Sequence, residues 1–221
     1  MTSASLADSN VYITQSGASL DLDITMDGNN NAVGAANDRT LLTGANLDVD
    51  IDLIGASNVI TGDFIGAGES GSDDLKINQT GSTNTTALNI GSSAATDDVS
   101  IIENRIGSSG VTSYLVGSAA TVQDVSITVD VVGDDIDIAI SEQSTSTGSD
   151  KTTDIDIGTD SDDVDIIITH TGAGAHKTKL LCTGSCAGSD FTMSQTGVNS
   201  TNVDLIVTNA TSSDVDITIT E

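Results

Sequence analysis

The chain has no proline and no tryptophan, and among its 221 residues it holds only two tyrosines, two phenylalanines and two cysteines. Average usage of about 5% would give about 11 prolines in this length. A proline inside a strand removes a ladder donor, so its exclusion fits a chain that is strand nearly throughout, with turns made by Gly, Ser, Asn and Asp. An aromatic share of 2% excludes an interior built on large rings. It leaves Ile, Val and Leu, whose branched side chains suit a narrow pleated core. Six Lys and Arg stand against 33 Asp and Glu, a net charge of −27. That excludes nucleic acid and anionic membranes as partners, because their phosphates would meet like charge. No run approaches the ~20 apolar residues of a membrane span, so no membrane insertion is expected. Residues 1–10 hold neither a basic n-region nor an apolar h-region. They set the expectation of an N-terminal extension without a Sec leader, ahead of one repeat domain over 11–221.

What is present is a recurring phrase, apolar-x-apolar-x-Gln-Ser/Thr-Gly. It reads Val11-Tyr-Ile-Thr-Gln15-Ser-Gly17, Leu75-Lys-Ile-Asn-Gln79-Thr-Gly81 and Phe191-Thr-Met-Ser-Gln195-Thr-Gly197. Degenerate copies start at Leu47, Val99, Val125, Val164 and Val215, so the spacings are 36, 28, 24, 26, 39, 27 and 24. The unit is then 24–28 residues, and the two long intervals imply loop insertions near 28–46 and 141–154. A second arm with the same alternation, such as Leu20–Ile24 or Ile136–Ile140, follows each phrase. Period-two alternation puts Ile, Leu and Val on one face and Asp, Ser, Thr or Asn on the other. A unit this small cannot bury its own apolar face and needs neighbours stacked on it. The expected fold is all-β, a β-solenoid of strand-turn-strand repeats with roughly eight rungs at ~4.8 Å each. A β-sandwich and an interwoven trimeric β-fibre remain the alternatives.

Several side chains are candidates for a role. Gln15, Gln79 and Gln195 could form an amide ladder along the stack, and the glycines after them mark turns expected to need positive φ. The terminal strand carrying Val215, Ile217 and Ile219 is open to pairing with another subunit. Asp48, Asp50 and Asp52, and Asp154 and Asp156, place like charges on one face, which calcium could relieve. The Gly-Gly-x-Gly-x-Asp phrase of calcium β-rolls is absent. His170, His176, Cys182 and Cys186 gather the nitrogen and sulfur ligands, but their spacing matches no zinc motif. Cys182-Thr-Gly-Ser-Cys186 reads as a turn closed by a disulfide or as two thiols. The Thr-x-Thr of Thr218 and Thr220 is like that of an ice-binding face, without recurrence on successive rungs. No phosphate loop, no Gly-x-Ser-x-Gly elbow and too few aromatic platforms argue against an enzyme.

Over Val11 to Asn31, Leu75 to Ile90 and Phe191 to Val207 the phrase resembles the curlin-type repeat of bacterial amyloid fibres, although the second Gln and the Gly-Asn turn of that repeat are mostly missing. It is also similar to repeats in structural proteins of marine bacteriophage particles. The resemblance implies a non-enzymatic structural protein that self-associates through stacked strands. Its partners would be copies of itself, with other virion or surface proteins as further candidates. Its place would be the virion or an extracellular surface, as a virion fibre component, a curli-like fibre subunit or a calcium-stabilised adhesin.

Overall fold

The computed structural model describes residues 9–17, 19–34, 40–44, 46–66, 73–91, 98–117, 124–144, 150–159, 161–172, 174–183, 186–197, 201–208 and 211–220. The chain forms nineteen strands among them: β1 (Ser9–Val11), β2 (Thr14–Ser16), β3 (Leu20–Asp27), β4 (Asn30–Val33), β5 (Thr40–Gly44), β6 (Leu47–Ile54), β7 (Ser57–Gly66), β8 (Asp73–Thr80), β9 (Thr83–Ile90), β10 (Val99–Ile106), β11 (Ser109–Val116), β12 (Val125–Val132), β13 (Ile136–Ser144), β14 (Asp150–Ile157), β15 (Val164–Gly172), β16 (Ala175–Cys182), β17 (Asp190–Thr196), β18 (Thr201–Val207) and β19 (Asp214–Thr220). They fall into two parallel sheets. The first runs β1-β4-β7-β9-β11-β13-β15-β17-β19, with β2 and β5 at its first edge, and the second runs β3-β6-β8-β10-β12-β14-β16-β18. From β5 onward successive strands of the chain alternate between the sheets, whereas β1 and β2, and β4 and β5, share the first sheet; the inner faces meet in one apolar core. This is the expected β-solenoid, with eight strands in the second sheet.

Strand register turns the alternation into continuous columns. In the first sheet Val11, Val33, Ile60, Thr86, Thr112, Ile138, Ile166, Phe191 and Val215 lie one above another. In the second sheet Ile24, Ile51, Ile77, Glu103, Val129, Ile155, Leu180 and Leu205 do the same. Each buried aliphatic contributes about 1.5–3 kcal/mol, and a rung supplies several.

Three sequence expectations are corrected. The phrase does not label one arm: its copies at 47, 75, 99 and 125 lie in the second sheet and those at 11, 164, 191 and 215 in the first. The intervals of 36 and 39 therefore arise where the phrase changes sheet. The stretches taken as insertions hold β4 and β5, and the ends of β13 and β14. The first strand begins at Ser9, inside the supposed extension.

The corners show why Gly and Asp are abundant. Gly17, Gly81 and Gly197 do not have positive φ. Gly81 is required by close approach, since a Cβ there would lie 2.1 Å from the Gly55 carbonyl oxygen, and Gly55, Gly107 and Gly133 repeat that crowding on neighbouring rungs. The left-handed positions instead include Asn46, Asp98, Asp124, Asp135 and Asp163, each just before a strand. Asn and Asp tolerate that conformation better than other side chains with a Cβ.

Candidate assembly surfaces and the buried polar columns

At the C-terminal edge, among the described residues, β19 pairs only with β17 and β18 only with β16. The inward residues of β19, Val215, Ile217 and Ile219, are 42, 44 and 46% exposed, whereas Phe191 and Met193 one rung below are buried. Val203, Leu205 and Val207 of β18 are only partly covered. The opposite edge is similar: Val11, Ile13, Leu20 and Leu22 keep the core alternation but are half-buried. Among the described residues both ends thus present an apolar seam between two strand edges with main-chain groups open to pairing, the arrangement that adds strands.

The three glutamines do not stack on one another. Gln15 on β2 and Gln195 on β17 share one column of the first sheet, separated by Leu42, Phe64, Ile90, Val116, Glu142 and His170. Gln79 lies in the second sheet between Leu53 and Arg105. The amide ladder is made by asparagines that carried no motif. Asn31 Nδ2 donates to Asn58 Oδ1 at 3.2 Å and Asn58 Nδ2 to Asn84 Oδ1 at 2.9 Å. Each also donates to a main-chain carbonyl of the next rung, on Ile54, Thr80 and Ile106 respectively. The next position of this column is Gly110, where the Arg105 guanidinium occupies the space a side chain would take.

Arg105 belongs to the first of two buried ionisable networks. Glu103, wholly buried, accepts from Thr86 Oγ1 at 2.9 Å, Thr112 Oγ1 at 3.0 Å and Tyr114 Oη at 2.8 Å. Arg105 Nη1 lies 4.0 Å from it and donates to Thr112 at 2.8 Å. Burial lowers the Arg105 pKa, with the Glu103 charge opposing, and raises that of Tyr114 well above the usual phenol range. These residues were legible as inward ones, because Glu103 and Arg105 continue the phase of Val99 and Ile101.

The second network sits toward the C-terminal end. Glu142, His170 and Gln195 are stacked in register on β13, β15 and β17. Thr153 Oγ1 donates to Glu142 Oε1 at 3.1 Å, and Gln195 Nε2 lies 2.8 Å from Thr178 Oγ1 and 3.3 Å from His170 Nδ1. His170 Nε2 also lies 3.2 Å from Glu142 Oε2, without hydrogen-bond alignment. The His176 ring is 5.4 Å from that of His170, and Lys151 is buried in the same region. Burial pushes the Glu142 carboxyl up to about 8 and the His170 ring down to about 3, the latter helped by His176 and Lys151. Both groups are therefore neutral near neutrality, consistent with the cost of burying charge.

Among the other candidate residues, Asp48, Asp50 and Asp52 face outward on β6. Asp48 is flanked in register by Asp21 and Asp74, and its pKa is raised by desolvation and then by Asp21, Asp50 and Asp74. Asp52 accepts from Asn78. Asp154 and Asp156 hold a lysine, with Lys179 Nζ at 2.9 and 3.2 Å. Among the described residues no group of three or more His, Cys, Asp or Glu is placed to hold a metal. His170 and His176 are absorbed in the core network, and Cys182 and Cys186, both buried, are joined by a disulfide. Thr-x-Thr does not recur on successive rungs, as expected, although hydroxyls do: Thr169, Ser194 and Thr218 form one outward column and Thr171, Thr196 and Thr220 the next. The inward residue between them changes from His to Gln to Ile.

No protein-family model matches the chain, and neither a curated protein nor a solved structure matches it. The fold itself defines the class, a repeat protein of stacked parallel strands.

Proposed function

We propose that this is a non-enzymatic structural protein, a rod that self-associates through the strand edges at its ends and serves as a fibre element on a virion or extracellular surface. The observation that carries this reading is the half-exposed apolar face of Val215, Ile217 and Ile219 on an edge strand that continues the core columns. The buried ionisable groups Glu103, Glu142 and His170 are sealed from solvent. The gaps between the sheets measure about 20 and 10 Å³, room for one water each, and a larger concavity of about 420 Å³ lies open on the second sheet, lined by Asn104, Ile106, Asp130, Val132, Asp156 and Leu181. The net charge of −27 keeps the sides of such rods apart and favours contact at the apolar ends. The buried disulfide suits an extracellular fibre over a purely intracellular one. Sedimentation velocity across a hundredfold concentration range, with electron microscopy of the same samples, tests the proposal. Concentration-dependent rods or filaments support it, and monomers throughout remove it.

A further inference from the structure

Resting on that self-association, we infer that copies join head to tail, with β19 of one copy pairing in parallel with β1 and β2 of the next and β18 pairing with β3. Four observations on the chain specify this geometry over a tail-to-tail dimer. All strand pairs in both sheets are parallel, so a successor in the same direction continues the existing ladders. The first strands and β17 carry the same phrase in the same columns: Val11 and Gln15 occupy the columns that end in Val215 and Ile219. The next copy therefore offers Val11 to Val215 and Gln15 to Ile219 without a change of phase.

The third observation is electrostatic. The outward column of the first sheet ends in four carboxylates, Asp137, Asp165, Asp190 and Asp214, and its first member is Asn10. Head-to-tail stacking sets Asn10 of the next copy on Asp214. Within the fold the same pairing is already used, with Asn89 Nδ2 donating to Asp63 on the adjacent rung at 2.7 Å. The second sheet supplies the reciprocal pair, because its outward column begins at Asp21 and ends at Asn202. Each sheet of the joint thus matches one amide donor to one carboxylate.

The fourth observation concerns the alternative. A two-fold tail-to-tail contact through β18, centred on its middle residue, would oppose Asp204 to itself. The head-to-tail joint also leaves one like-charge contact, Asp204 against Asp23, but gains the two Asn-Asp pairs. Heterologous joints of this kind propagate, whereas two-fold contacts close. The partner is therefore a second copy of this chain and the product is a polar filament one solenoid wide.

Cysteine cross-linking of the full chain tests the geometry. Neighbouring parallel strands lie ~4.8 Å apart, within the Cα range a disulfide accepts. The Asn10→Cys, Asp214→Cys double variant, oxidised under assembling conditions, is expected to give a ladder of linked oligomers on a non-reducing gel. An equimolar mixture of the two single variants should give a linked heterodimer and nothing longer. Peptide mapping must find the two introduced cysteines joined to each other, with the native Cys182–Cys186 bond left in place. Assembly seen by sedimentation without that link overturns the head-to-tail geometry while leaving self-association standing. Absence of assembly, in the unmodified chain as well, overturns both.

Discussion

Removal of the Glu103 carboxylate tests how the solenoid tolerates buried polarity. Glu103 is wholly buried and takes hydrogen bonds from Thr86, Thr112 and Tyr114, with Arg105 at 4.0 Å. In Glu103→Ala three hydroxyls lose an acceptor, although Thr86 can turn to Gln79 Oε1 at 3.3 Å. Each buried polar group left without a partner costs about 1–3 kcal/mol, and breaking a buried charge pair on one side costs about 3–5 kcal/mol. The expected loss is about 4 kcal/mol, a large share of the roughly 5–15 kcal/mol that holds a domain together. Glu103→Gln keeps the size and one acceptor oxygen, and should lose about 1–2 kcal/mol. Tyr114 lies against the carboxylate and Tyr12 is exposed. In a Tyr12→Phe background, urea titration of tyrosine fluorescence therefore reports this rung directly. A loss below about 1 kcal/mol for Ala, or equal losses for Ala and Gln, would refute the reasoning.

Three further outcomes follow from the same geometry. Glu142 binds a proton more tightly in the fold, at about 8, than its ordinary 4.5, so its contribution is fully present below the ordinary value and lost as pH rises through about 8. The neutral His170 is the reverse, losing stability as pH falls from 6.5 toward about 3. Melting temperature against pH should fall on both sides of mildly acid conditions, and Glu142→Gln should flatten the alkaline limb; an unchanged limb contradicts the assignment. Gly81→Ala should destabilise by about 2–3 kcal/mol through overpacking, because the added methyl meets the Gly55 carbonyl at 2.1 Å. Gly17→Ala, where the nearest atom is Gln15 Nε2 at 3.4 Å, should be nearly neutral by the same thermal melts.

Much of the fold was legible because alternation reports directly which face a residue takes. Ile77 is buried and Asn78 faces outward to Asp52, as their phase requires. The assignment of arms to sheets was not legible, since both arms carry the same period and the phrase moves from one to the other. Asn31, Asn58 and Asn84 were missed because a ladder needs the register of three rungs, and each Asn alone reads as a turn residue. Asp was expected among the turn residues, but composition alone could not say that Asp98, Asp124 and Asp163 hold left-handed backbone. Two cysteines four residues apart allow a single pairing within one chain but left a disulfide and two thiols as alternatives, and the structure has the bond.

Stacking in a single line is tested most directly by distances between spin labels in one outward column, at Asn10, Val111 and Asp190. Four, three and seven steps of ~4.8 Å predict separations of about 19, 14 and 34 Å for the pairs 10–111, 111–190 and 10–190. The longest should equal the other two combined within the reach of the label tethers. A 10–190 separation below about 25 Å, as two sheets of a sandwich folded back on each other would give, would contradict the stack.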